Sequence, residues 1–358
     1  MHENRMSEQK PALYYSDYLQ LETLLACQRP KSNINGRPAH DELLFIIVHQ
    51  AYELWFKQIL FELDAVICAF HSKSVDESQV HIAADRLRRI AEIQKLLLAQ
   101  IRVLETMTAL DFLDFRDELY PASGFQSYQF RLLENRMGVR AEYRHVYIPG
   151  VPYYANLSEE HQRLVRASEA EPTLFQVIQD WLERTPFLDM HGFDFLGEYV
   201  KALRSSGEER RIADADMKAI LSDEFHQSLA KQNRRRLSRR AMLAALFISL
   251  YRDEPILHPP FQLLTALIEM DEQFTAWRYN HALMVQRMIG TKTGTGGSSG
   301  YEYLKGTLEP HKVFPDLLTI SNYLIPRSKL PPLPEDLKQQ LAFWFSVNAA
   351  SSATERGK

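Results

Sequence analysis

Cysteine is nearly absent from this 358-residue chain, which holds only Cys27 and Cys68. Two thiols cannot staple a protein of this size, so a secreted disulfide scaffold is excluded and a reducing compartment is expected. Charge of one sign is missing too. The 42 Lys and Arg stand against 46 Asp and Glu, a formal charge of −4, which offers nucleic acid or an anionic bilayer no general attraction. Long hydrophobic runs are also lacking: the strongest, Ala241 to Tyr251, is interrupted by Ser249 and flanked by Arg239, Arg240 and Arg252. It is too short to span a bilayer and fits a buried core helix. The opening MHENRMSEQKPALYYSDY has no apolar stretch that could act as a signal h-region, so a cytoplasmic protein with neither nucleic acid nor membrane as partner is expected.

Glycine and proline are absent between Ala39 and Tyr120, a long interval for the residues that punctuate turns, and long helices follow. Asp41 to Phe70 carries Phe45, His49, Tyr52, Phe56 and Leu60 at helical spacing, with Glu53 and Lys57 placed for an i,i+4 ion pair. The polar stretch 71–78 reads as a hairpin loop before a second helix that runs to about Met107. Pro121 breaks the chain, and Ser123 with Gln126 has the spacing of a capping box for a third helix ending at Gly138. Residues 139–160 read as irregular, and a helical period resumes around FQVIQDWLE. From Phe261 to Ile289 the residues Leu267, Met270, Phe274, Trp277, His281, Met284 and Met288 recur in steps of three and four, a buried stripe. The proline-bearing tail, with Pro326, Pro331, Pro332 and Pro334, reads as a surface strap. No alternating β-branched run is long enough for a sheet and there is no internal repeat, so the fold class is all-α.

Three constellations could carry chemistry. His49 and His281 each stand on the apolar stripe of a long helix. Such a histidine is either a neutral core residue with a hydrogen-bond partner or an axial ligand to haem iron, and spacing alone does not choose. The stretch GTKTGTGGSSG, 290–300, holds five of the 14 glycines. It lacks the P-loop and dinucleotide-binding patterns and follows a helix, which leaves a flexible loop or a loop closing over a small polar ligand. Residues 111–131 interleave aromatics with Arg116 and Arg131. A guanidinium suits a carboxylate and aromatic faces suit a flat ring, although each arginine could equally form a surface ion pair. The basic run KQNRRRLSRR, 231–240, reads as a solvated face. CxxC and HExxH are absent, so zinc hydrolysis lacks its usual residues.

Four blocks closely resemble the tryptophan 2,3-dioxygenase family: YYSDYLQLETLL at 14–25, HDELLFIIVHQAYELWFKQILFELD at 40–64, DFRDELYPASGFQSYQFRLLENRMG at 114–138, and WRYNHALMVQRMIGTKTGTGGSSGYEYL at 277–304. The resemblance covers nearly the whole chain, and the wording HQAYELWFKQI looks more like the animal branch. It implies a haem dioxygenase fold over 1–358 as a single domain, with 1–38 an N-terminal arm; about 205–240, by its charged composition, reads as a peripheral helical insertion. The cofactor it implies is haem b, iron protoporphyrin IX, with His281 as axial ligand and Ser123 near the haem. It makes His49 the catalytic-site histidine that hydrogen-bonds the indole N–H, Arg116 the grip on the substrate carboxylate, and Phe45, Phe112 and Leu119 the pocket walls. Thr295 would contact the amino-acid end of the substrate. Tyr15 and Tyr18 would reach a neighbouring subunit's pocket in a homotetramer. The implied reaction joins L-tryptophan and O2 into N-formylkynurenine. A non-catalytic haem-based binding or sensor protein is the alternative that helices and histidines by themselves permit. Ser16 and the RDEL wording depart from the common family pattern, and neither touches a residue with an implied role.

Overall fold

A computed structural model describes residues 12–72, 74–143, 152–188, 193–290, 292, 300–306 and 308–341. Among these residues there are helices, turns and connecting segments, and no strand, as the patterning predicts. No helix among them is long and apolar enough to cross a membrane.

Three short helices open the chain: α1 (Tyr15–Leu19), α2 (Leu21–Leu25) and α3 (Lys31–Ile34). The buried Glu42 carboxylate fixes the last of these, accepting from the backbone N–H of Lys31 at 2.6 Å and Ser32 at 2.9 Å. The interval without glycine or proline then forms α4 (Glu42–Phe70) and α5 (Glu77–Leu104). A reciprocal capping box between Asp76 and Gln79 starts α5. It ends three residues before the expected Met107, because Thr108 and Asp111 form a second capping box that starts α6 (Ala109–Arg116).

The expected box of Ser123 and Gln126 is present, but it closes a single 3-10 turn, Gly124–Gln126. Ser127 then caps α7 (Tyr128–Met137). Gly138 ends α7 at φ +94°, where a Cβ would lie 2.9 Å from both Phe175 Cβ and Thr173 Oγ1, so glycine is needed for conformation and for space.

The second half continues through α8 (Glu159–Glu169), α9 (Leu174–Glu183), α10 (Phe195–Ser206), α11 (Asp214–Leu221), α12 (Asp223–Lys231) and α13 (Arg239–Leu250). Helix α13 is the apolar run noted in the sequence, and it is buried along almost its whole length. The basic run at 231–240 is a solvated face only in part: Lys231, Arg234 and Arg240 are exposed, and the other arginines are not. Arg235 is buried and pairs with Asp216 at 2.6 Å, Arg236 donates to the Gly138 carbonyl at 2.7 Å, and Arg239 donates to the Ile220 carbonyl at 2.7 Å. These arginines bind carboxylate and carbonyl oxygens of neighbouring segments.

The longest helix, α14 (His258–Ile289), starts three residues earlier than the sequence suggests. Pro259 and Pro260 fall in its first turn, where a missing N–H has no intrahelical partner to lose. Short helices α15 (Gly300–Gly306), α16 (Pro315–Thr319) and α17 (Glu335–Leu341) follow. The proline tail is pinned as a strap, with Tyr251 Oη donating to the Pro331 carbonyl at 2.9 Å.

The core forms where α14 and α4 both pack along α5, burying Ile59, Leu63, Leu87, Ile90, Leu267 and Met270 completely. Charged side chains are buried there as well, Asp271 of α14 among them. Asp271 accepts from the backbone N–H of Val313 at 2.9 Å and of Phe314 at 3.0 Å, tying the chain before α16 to the middle of α14. Replacing it leaves two buried donors without partners. Asp271→Ala is therefore expected to lower stability by about 2–4 kcal/mol, read as a lower urea midpoint at unchanged slope; an unchanged midpoint would show that other groups hold this segment.

Candidate functional site

One face of α4, the end of α5, α6, the turn before α7, the start of α7 and one face of α14 enclose a cavity of about 290 Å³. Helical spacing puts Phe45, His49, Tyr52, Glu53 and Phe56 of α4 on one wall, with Trp277, Arg278, His281, Met284 and Met288 of α14 on another. Phe112 and Arg116 come from α6, and Ser123, Gly124 and Phe125 from the turn. Most of this lining is apolar, so the few polar groups on it are conspicuous.

His49 Nδ1 lies 2.7 Å from the Phe45 carbonyl. A carbonyl only accepts, so the proton sits on Nδ1 and Nε2 is left as a bare acceptor. Burial lowers the His49 pKa, outweighing the opposing influence of the Phe45 carbonyl and of the Glu53 carboxylate, which keeps this tautomer neutral. The imidazole lies against Phe45, ring centroids 4.0 Å apart, and Phe45 in turn meets Phe112 at 5.8 Å. His281 is affected more strongly. Burial, reinforced by His49 and Arg278, lowers its pKa to about 4. It is neutral at physiological pH and makes no hydrogen bond to a described residue. Trp277, one turn earlier, stacks on it with centroids 5.1 Å apart and planes at 21°.

The charged groups beside the cavity are held by partners that the sequence did not reveal. Glu53 accepts from Gln129 Nε2 at 2.8 Å and does not form the expected pair with Lys57. Arg131, which could have been a surface residue, is buried and donates to Glu134 at 2.8 Å; Arg278 reaches the other oxygen of the same carboxylate at 2.8 Å. Burial would raise the Glu134 pKa, but Arg131, His311 and Arg278 together hold it well below the usual carboxylate range. A signal for this cluster was present: Asp271 and Arg278 share the helical phase of Leu267 and Phe274, a buried phase that charged residues occupy only with partners.

The cavity thus gathers Phe45, His49, Phe112, Arg116, Ser123 and His281, six of the residues singled out from the sequence. Leu119 packs against the core from the 3-10 turn after α6 without lining the cavity. Tyr15 and Tyr18 stand on α1, 74% and 70% exposed, away from it. Thr295 lies outside the described residues.

Among the described residues no three His, Cys, Asp or Glu side chains gather as a group able to hold a metal ion. His281 offers a neutral nitrogen on an apolar wall. That donor set fits a metal whose equatorial positions are filled by a macrocycle, and haem therefore fits the residues present.

Comparison with known proteins identifies the family. A family model described as tryptophan 2,3-dioxygenase matches residues 2–215 and 204–324. The chain is 47% identical to the tryptophan 2,3-dioxygenase of Bdellovibrio bacteriovorus over 357 residues, covering 94% of this chain and 99% of that protein. It is also 47% identical to the tryptophan 2,3-dioxygenase of Rattus norvegicus over 352 residues, 92% of this chain and 86% of the relative. Equal identity to a bacterial and an animal protein gives no leaning toward the animal branch. On the matched length, the identity and the shared naming of these relatives, the chain belongs to the tryptophan 2,3-dioxygenase family.

Proposed function

We propose that this chain is a haem-dependent dioxygenase that inserts both atoms of O2 across the indole C2–C3 bond of L-tryptophan, giving N-formylkynurenine. The observation that carries this reading is the pair of neutral histidines on one apolar cavity, His49 with a bare Nε2 acceptor and His281 with an imidazole that no described residue hydrogen-bonds. His281 would hold the iron of haem b, with Ser123 beside the macrocycle. When bound, the haem supplies the iron centre that binds and activates O2. The protein contributes binding and orientation.

Arg116, at the end of α6, binds the substrate carboxylate, and Phe45 and Phe112 enclose the flat ring and exclude water. His49 Nε2 accepts the indole N–H. Its fixed tautomer makes it a good acceptor, while the acidity of that N–H is far too low for a neutral imidazole to take the proton, so its role is orientation. Leu119 supports this wall from behind, and Thr295 takes the amino-acid end. Tyr15 and Tyr18 are large aromatics on an exposed arm, which suits contact with a neighbouring subunit's pocket in a homotetramer. The chain is one helical domain over 1–358, with 1–38 as the arm and about 205–240 as an insertion, and it acts in the cytoplasm.

Oxidation is tested by following N-formylkynurenine absorbance when reduced, haem-loaded protein meets tryptophan and O2; no product would overturn the reading. His281→Ala should abolish stoichiometric haem binding and its Soret band, while His49→Ala should keep haem and lose part of the activity. Haem loss in the second variant and not the first would reverse the two roles.

Arg116→Ala should retain haem and lower kcat/KM for tryptophan by about tenfold to hundredfold, the worth of a charge-assisted hydrogen bond. Unchanged kinetics would assign the carboxylate to another group.

Acidity bears on the same site. Below pH 6.5 the unfolded His281 takes a proton, while the folded one resists until about pH 4. The unfolded state therefore binds more protons in that window, and stability falls as pH falls through it. In haem-free protein, the drop in urea midpoint between pH 7 and pH 5 should be smaller in His281→Leu than in the wild type; equal drops would show that other groups set the dependence.

A further inference from the structure

A metal-ligating histidine usually has its second ring nitrogen tied to a carboxylate, a carbonyl or a water, which fixes the ring plane. No described residue hydrogen-bonds His281, so a different contact must set the orientation of its imidazole about the Cβ–Cγ bond. Among the described residues one side chain stacks on that ring. Trp277 lies four residues earlier on α14, on the same face, with centroids 5.1 Å apart and planes at 21°.

Trp277 is itself held on several sides. Its ring meets Phe130 at 5.4 Å, and Tyr52 and Phe56 edge-on at 6.1 and 6.5 Å. Its Nε1–H is buried and makes no hydrogen bond of normal geometry, yet it is near enough to the Tyr52 hydroxyl to act against the burial that pushes that group up to about 12. Tyr52 Oη donates its own proton to the Leu97 carbonyl at 2.7 Å, so its lone pairs remain available to the indole N–H. Tyr52 belongs to the helix that carries His49, and Leu97 belongs to α5 between the two histidine helices.

We infer that Trp277 is a positioning residue for His281: its indole face fixes the imidazole plane, and the indole is wedged by Tyr52, Phe56 and Phe130. This rests on His281 being the axial ligand. The device replaces a polar tether with a flat, apolar one. It leaves the imidazole neutral and without an anionic partner, which a carboxylate tether would not do.

The test compares ferrous haem-loaded wild type with Trp277→Phe, Trp277→Leu and His281→Ala, reading the iron–histidine stretching band by resonance Raman and the rate of haem release to excess apomyoglobin. The expected result is a single narrow band in the wild type, a shifted or broadened band in Trp277→Phe, and a larger change in Trp277→Leu with haem release about threefold to tenfold faster, the worth of one aromatic stack. Bands of the same position and width in wild type and both tryptophan variants would overturn the inference. If Trp277→Leu does not fold, the comparison of wild type with Trp277→Phe decides it on the same criterion. The band must vanish in His281→Ala; its persistence there would instead overturn the axial assignment, so the two failures are distinguishable.

Discussion

The packing of α14 and α4 along α5 is the constraint on which the rest depends. These are the three longest helices, and their apolar stripes bury one another in the core. Near one end of this assembly the stripes diverge around the cavity, and the residues that continue the pattern there are His49 on α4 and Trp277 and His281 on α14. The site is thus an extension of the core with polar atoms placed on it. Apolar surroundings account for the neutrality of both imidazoles, because a low-polarity environment penalises the protonated form.

Charge is kept near this apolar region by pairing. Glu134 serves Arg131 and Arg278 at once, so the guanidinium beside His281 is anchored on a buried carboxylate. Asp271, one face-repeat earlier on α14, holds two backbone donors of the segment leading to α16. Breaking such groups is costly because the partner is left buried and unmatched. They also give α14 a defined rotation about its axis, and with it a defined direction for His281.

The two histidines have similar sequence settings and different local ties. His49 spends one nitrogen on the carbonyl one turn before it, which settles its tautomer and leaves an acceptor. His281 has an aromatic face in place of that tie. An oriented acceptor suits recognition of an N–H group, and an untethered neutral nitrogen suits coordination. The proposed division of labour between them follows from this difference.

Much of the fold was legible in the sequence because long helices are written in period and punctuation. The interval from Ala39 to Tyr120 without glycine or proline, the stripe on α14 and the stop at Gly138 each depend on local backbone chemistry. Boundaries were less legible where neighbouring caps competed, as when Thr108 and Asp111 ended α5 early. The resemblance to a family named Phe45, His49, Phe112, Arg116, Ser123 and His281, whose clustering depends on how distant segments pack. What only the tertiary structure decided was pairing: Glu53 with Gln129 and not Lys57, Arg131 and Arg278 on one glutamate, and Arg235, Arg236 and Arg239 on oxygens of neighbouring segments. Sequence spacing specifies which residues share a helix face, but the partner of a charged side chain on that face comes from another helix, and its identity is set by packing.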